Sequence, residues 1–134
     1  MALSKLRAIL VGSTVGVFIL VAIAGIWILR FENQARAPIA LAARTARGSA
    51  EVRQLLGEPI HISFAAKGNL VSKRGYGNAD LIIQVDGRLG QGTLLEWAQE
   101  DTGKWQICSL LFRSASGSTI IPLVDDSITH CERE

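Results

Sequence analysis

Residues 8–29 carry no charged side chain, and this run constrains the fold more than any other feature of the chain. It holds apolar residues together with Gly, Ser and Thr. As an α-helix rising about 1.5 Å per residue, it would cover roughly 30 Å, the thickness of a bilayer's hydrocarbon core. A helix can sit there because it satisfies its own backbone hydrogen bonds. Lys5 and Arg7 precede the run, Arg30 closes it, and Trp27 lies near its C-terminal end, where an amphipathic ring suits the membrane interface. The competing reading is a cleaved signal peptide, for which Ala22-Ile23-Ala24 offers a small-x-small site. The apolar stretch continues through Ile26, Trp27, Ile28 and Leu29, past the roughly 7–15 residues of a signal h-region. A retained, single-pass transmembrane helix is therefore expected. The residues ahead of it are too few for a transit peptide, and no early Glu in the run supports a pilin-like reading.

Orientation is open on the sequence. Arg30, Arg36, Arg44 and Arg47 on the C-terminal side outnumber Lys5 and Arg7, which by the positive-inside rule would hold the domain in the cytoplasm. A short basic N-terminus directly before an apolar run is also the usual form of a signal anchor. The reading adopted here puts the N-terminus inside and the domain outside. Beyond the run the chain is electrically neutral, since Lys and Arg balance Asp and Glu from residue 30 onward. Nucleic-acid binding, which needs a concentrated basic face, is not expected.

The remainder reads as one small α+β domain. Residues 1–7 form a short tail, 8–29 the transmembrane helix, 30–37 a polar linker, 38–124 the α+β domain and 125–134 a polar tail. One or two short helices come first. Pro38 suits a first helical turn, and the Ala-rich segment after it favours helix. Ser49 is placed to N-cap a second helix that carries Val52, Leu55 and Leu56 on one face. Gly57 and Pro59 end that helix. An antiparallel β-sheet follows. Ile60, Ile62 and Phe64 alternate with polar neighbours, as do Ala79, Leu81, Ile83 and Val85. Asp86-Gly87 predicts a hairpin, with a partner strand from about Arg88 to Trp97 or beyond. Gly90 and Gly92 in it mark a bulge or a close backbone approach. A turn at 101–104, a strand at 105–112, a turn at 116–118 and a last strand at 119–124 complete the meander.

The candidate reactive groups are few. Cys108 and Cys131, the chain's two cysteines, lack Cys-x-x-Cys spacing. They read either as one buried and one exposed thiol or as a disulfide that staples the tail to the sheet. His130 and Cys131 with Asp125 and Asp126 could be drawn as a metal cluster, but a polar tail is read as solvated. His61 is expected to face outward from its strand. No Gly-x-Ser-x-Gly context supports a serine triad, and Glu96, Glu100 and Asp101 are near one another as the approach to a turn. No catalytic, cofactor-binding or metal-binding residue is assigned. Trp97 and Trp105 flank the 101–104 turn, where they are placed to meet across the hairpin; they read as core packing, and as candidate interface residues if exposed.

Several motifs in order give the chain a family likeness. Leu56-Gly57-Glu58-Pro59-Ile60 is followed by Gly77-Asn78-Ala79, then Gly90-Gln91-Gly92-Thr93-Leu94, Gly103-Lys104-Trp105 and Ile120-Ile121-Pro122-Leu123. In this order the chain resembles the cytochrome c oxidase assembly factor 1 family, itself similar to the twenty-one-kilodalton subunit of the mitochondrial inner-membrane presequence translocase. The resemblance implies a membrane-anchored, non-catalytic binding factor without cofactor. It would act on membrane protein subunits, such as those of cytochrome c oxidase, while held in the lipid bilayer. The implied location is a bacterial inner membrane with a periplasmic domain, or the mitochondrial inner membrane. Two other classes stay open: a membrane-tethered extracytoplasmic sensor or lipid-binding accessory domain, and a thiol-dependent enzyme or factor.

Overall fold

In the computed structural model, residues 2–125 and Cys131 are described, with side chains described for residues 15–29, 35–125 and 131. The chain divides into two compact units, Met1–Phe31 and Glu32–Glu134. Two helices, α1 (Ala2–Gly48) and α2 (Ala50–Leu56), precede six strands. The strands are β1 (His61–Ile62), β2 (Lys67–Lys73), β3 (Tyr76–Asp86), β4 (Gln91–Asp101), β5 (Lys104–Ser114) and β6 (Ile120–Val124). They form one antiparallel sheet, so the α+β class holds.

In the first unit, the uncharged run lies within α1, and its described side chains, those of residues 15–29, are largely exposed, with Phe18 at 77% and Trp27 at 73%. Among the described residues, no helix is long and apolar enough to cross a membrane. The side chains of residues 8–14, the first part of the expected span, lie outside the described residues.

The expected linker at 30–37 and the expected separate helix from Pro38 are instead parts of α1. Glu, Gln, Ala and Arg in that stretch are good helix formers, and Pro38 lies inside the helix rather than at its start. An interior proline costs roughly 3 kcal/mol. Here burial offsets that cost, because Pro38 is fully buried within a stripe formed by Ala35, Ile39, Ala42, Ala43 and Ala46. Spacings of three and four place these residues on one face. Their small size lets the helix backbone approach the layer beneath.

After α1, Ser49 caps α2, its side chain accepting from the Val52 N–H at 3.4 Å. Val52 and Leu56 are buried, but Leu55, expected on the same face, is 42% exposed. Seven residues make two turns, and the one-residue step from Leu56 to Leu55 rotates the side chain about 100° off the packed stripe.

The sheet runs β1-β3-β4-β5-β6, with β2 also pairing with β3. β1 and β2 therefore share one edge of β3, His61 and Ile62 opposite Asp86 and Val85, and β2 opposite residues 76–82. The first strand is shorter than its alternation predicts: Phe64 falls in the gap between β1 and β2 and is 59% exposed. β2 has no counterpart in the sequence reading. Its sequence, KGNLVSK, is polar, because an edge strand with little burial needs no apolar alternation, and terminal lysines discourage further strand pairing. Its hairpin turn places Arg74 and Gly75 at φ 55° and 82°, and Thr102 and Gly103 in the β4–β5 turn take 51° and 79°. Positive φ at both central residues is the turn that matches strand twist.

Candidate functional site

Strand register sorts the sheet into two faces. On the inner face, Ile83, Leu94, Phe112 and Ile121 form one cross-strand row, and Leu81, Glu96, Leu110 and Val124 the next. With Val52, Leu56 and the α1 stripe, the apolar members of these rows make the core. Gly92 keeps this face tight, since a Cβ there would meet the Phe112 ring. That is the close approach its glycine predicted.

On the outer face, Lys67, Ile82, Leu95, Leu111 and Pro122 make one row, and Asn69, Asp80, Trp97 and Ser109 the neighbouring one. A surface groove runs over these rows, lined by Ile82, Leu95, Trp97 and Leu111 with Asn69 and Asp80 beside them. Ile82 is 42% exposed and Leu95 and Leu111 are half-buried, so the floor is apolar and partly open. Polar groups rim it. The sequence showed β3, β4 and β5 but not β2, and the groove depends on register across all four, which no local pattern displays.

Glu96 is the anomaly of the inner face. It is 3% exposed, opposite Leu81 on β3 and Leu110 on β5. Neither carboxyl oxygen has a hydrogen-bond partner among the described residues. Desolvation pushes its pKa up to about 8, so the group is mainly neutral at pH 7. It belongs to the core, not to the turn approach with Glu100 and Asp101. Glu100 instead accepts from the Ser72 hydroxyl on β2. The signal was available, since Leu94, Glu96 and Ala98 share a period of two.

Cys108 and Cys131 are joined by a disulfide with a Cα–Cα distance of 5.7 Å. This corrects the commoner reading of one buried and one exposed thiol, and no free thiol remains. Cys108 is the extra residue where β4 and β5 slip register next to Trp97, and its side chain is fully buried. Residues 126–130 and 132–134 of the tail, including His130 and Asp126, lie outside the described residues. Among the described residues no group of His, Cys, Asp and Glu could hold a metal ion.

Neither tryptophan is an exposed anchor. Trp97 is 7% exposed and Trp105 is half-buried against the core. Nor do they face each other across the hairpin, since Trp97 pairs with Ser109 and Trp105 with Glu100. Trp97 stays relevant as part of the groove wall. Among the described residues of the second unit, the large exposed apolar side chains are Leu55, Phe64, Val71, Tyr76, Ile82, Leu89 and Ile120. His61 is exposed on β1, as its alternation predicted.

An antiparallel sheet packed on one face by helix, with a groove on the other, defines a small α+β domain. The chain belongs to the cytochrome oxidase complex assembly protein 1 family, which it matches over residues 11–125. No curated protein and no solved structure matches it. The matched span takes in most of the apolar run and the whole sheet, and it places the chain in a family tied to cytochrome oxidase assembly.

Proposed function

We propose that this protein is a single-pass, membrane-anchored, non-catalytic factor whose sheet groove holds a subunit of cytochrome oxidase during assembly. The family match over residues 11–125 carries this reading. The uncharged run at 8–29 supports the anchor. The disulfide supports placing the domain in an oxidising space, the bacterial periplasm or the mitochondrial intermembrane space, because such bonds persist there and are rare in the cytosol. That favours the signal-anchor orientation over the positive-inside count. An apolar floor of Ile82, Leu95 and Leu111 with a polar rim suits a protein segment, since a few buried apolar contacts carry most interface energy.

The thiol-dependent alternative requires a free sulfur, and both sulfurs are bonded to each other. The test is recovery of oxidase subunits with the full-length protein from its native membrane. Ile82→Asp should reduce recovery at least about tenfold, the effect of roughly 1.4 kcal/mol, with folding checked by circular dichroism. Arg113→Asp, on the same sheet outside the groove lining, should recover the partner normally. Undiminished recovery with Ile82→Asp and Leu111→Asp would remove the groove from the proposal.

A further inference from the structure

The end of α2 and the β3–β4 turn are built onto each other. Gly57 closes α2 at φ 72°. Gly87 lies so close that a Cβ on it would collide with the carbonyl oxygens of Leu56 and Gly57. The Leu89 N–H donates to the Leu56 carbonyl at 2.7 Å. The bare backbone at Gly87 thus lets the turn close over the helix end, and Arg88 is carried to the Glu58–Pro59 segment.

A pocket forms at this junction, lined by Arg47 of α1, Arg53 of α2, Arg88 of the turn, His61 of β1 and Glu58. Three guanidiniums face one carboxylate. The Arg53–Glu58 pair is 3.7 Å apart with both side chains exposed, so it holds the two weakly, and one carboxylate leaves three guanidiniums in positive excess. Arg47 donates through Nε and Nη2 to the Ile60 carbonyl, both at 3.4 Å, leaving further N–H groups of its fork uncommitted. Arg88 has no hydrogen bond or ion pair among the described residues. Asp86 lies opposite His61 in the register but does not line the pocket.

Like charges drawn from separate elements into one concavity repel, and an anion relieves that repulsion. Guanidinium forks match oxyanions bidentately. A carboxylate's two oxygens are taken up by a single fork. A phosphate group presents more acceptor oxygens, enough to engage several forks at once. We propose that this pocket binds a phosphate group, carried either by a free phosphorylated anion or by the headgroup of an anionic phospholipid. The site is separate from the sheet groove and does not depend on the assembly reading.

The test uses the full-length protein in non-ionic detergent, isotopically labelled so that arginine Nε–H signals are seen by NMR. One arm titrates inorganic phosphate and the other monomeric dihexanoyl phosphatidylglycerol, each against chloride at equal ionic strength. Saturable shifts of the Arg53 and Arg88 signals are expected. Arg88→Ala should weaken binding about tenfold, Arg88→Lys should restore part of it, and Arg36→Ala, outside the pocket, should leave it unchanged. Tighter binding of the lipid probe assigns the headgroup as the source, and tighter binding of phosphate assigns a soluble anion. Three outcomes would overturn the proposal: shifts reproduced by chloride, affinity left unchanged from the parent protein by both Arg47→Ala and Arg88→Ala, or a pocket that answers to an acidic peptide and to neither phosphate probe.

Discussion

Glu96 sets a carboxyl group where the sheet otherwise carries leucines. Its folded pKa of about 8 lies above the 4.5 of an unperturbed glutamate. Between those values the folded chain holds a proton that the unfolded chain has released. Stability should therefore fall as pH rises from about 4.5 to about 8, and the full cost of ionisation applies above that. Glu96→Gln removes the charge at nearly constant shape. We expect it to flatten the pH dependence, so that urea midpoints of the two proteins converge near pH 4.5 and the variant is the more stable at pH 9. Parallel profiles would show that Glu96 is paired or hydrated in solution. Leu56 is the complementary case, a fully buried side chain beneath the helix end. Leu56→Ala should cost about 2–5 kcal/mol in denaturant unfolding. A loss below about 1 kcal/mol would mean that α2 is not docked on the sheet.

At the scale of elements, the disulfide ties the C-terminal tail to β5 across a separation of 23 residues. Closing a loop of that length restricts the unfolded chain by about 3 kcal/mol. Cys131→Ser, or reduction of the native protein, should lower stability by about that amount while leaving the far-ultraviolet spectrum of the sheet in place. A melting curve that is indifferent to reductant would show that the bond is not formed. The cysteines' spacing alone could not settle this, because pairing depends on where the β4–β5 bulge turns Cys108. The same limit applies to β2. Its polar sequence has no period to detect, and it is a strand because β3 offers it an unpaired edge.

At the scale of the molecule, the membrane anchor is the expectation that most affects function. Mass spectrometry of the protein extracted from its membrane should find residues 8–29 intact. Alkaline carbonate washing should leave it in the pellet, as integral insertion requires. A mature N-terminus at Gly25, or release by carbonate, would replace the anchor with a cleaved signal and alter the proposed mode of action. The second unit places its two candidate sites on different features, the groove on the outer sheet face and the arginine pocket at the α2 junction. Variants at Ile82 and Arg88 should accordingly be separable in their effects.

Local chemistry along the chain determined much of this protein. The uncharged run, the Ser49 cap, the Gly57-Glu58-Pro59 stop, the alternation through β3 and the Thr102-Gly103 turn each act within a few residues, so each is readable in order. The motif order was enough to indicate the family. Tertiary structure decided the rest. Helix continuity through Pro38 follows from burial of a stripe that no local propensity reports. Glu96 becomes a core residue through its neighbours on β3 and β5, and the tertiary packing also decides that Trp97 is buried and Trp105 half-buried. Arg47, Arg53 and Arg88 are far apart along the chain, each unremarkable as a surface charge. They share a pocket because a glycine without a side chain lets one turn close over the end of one helix.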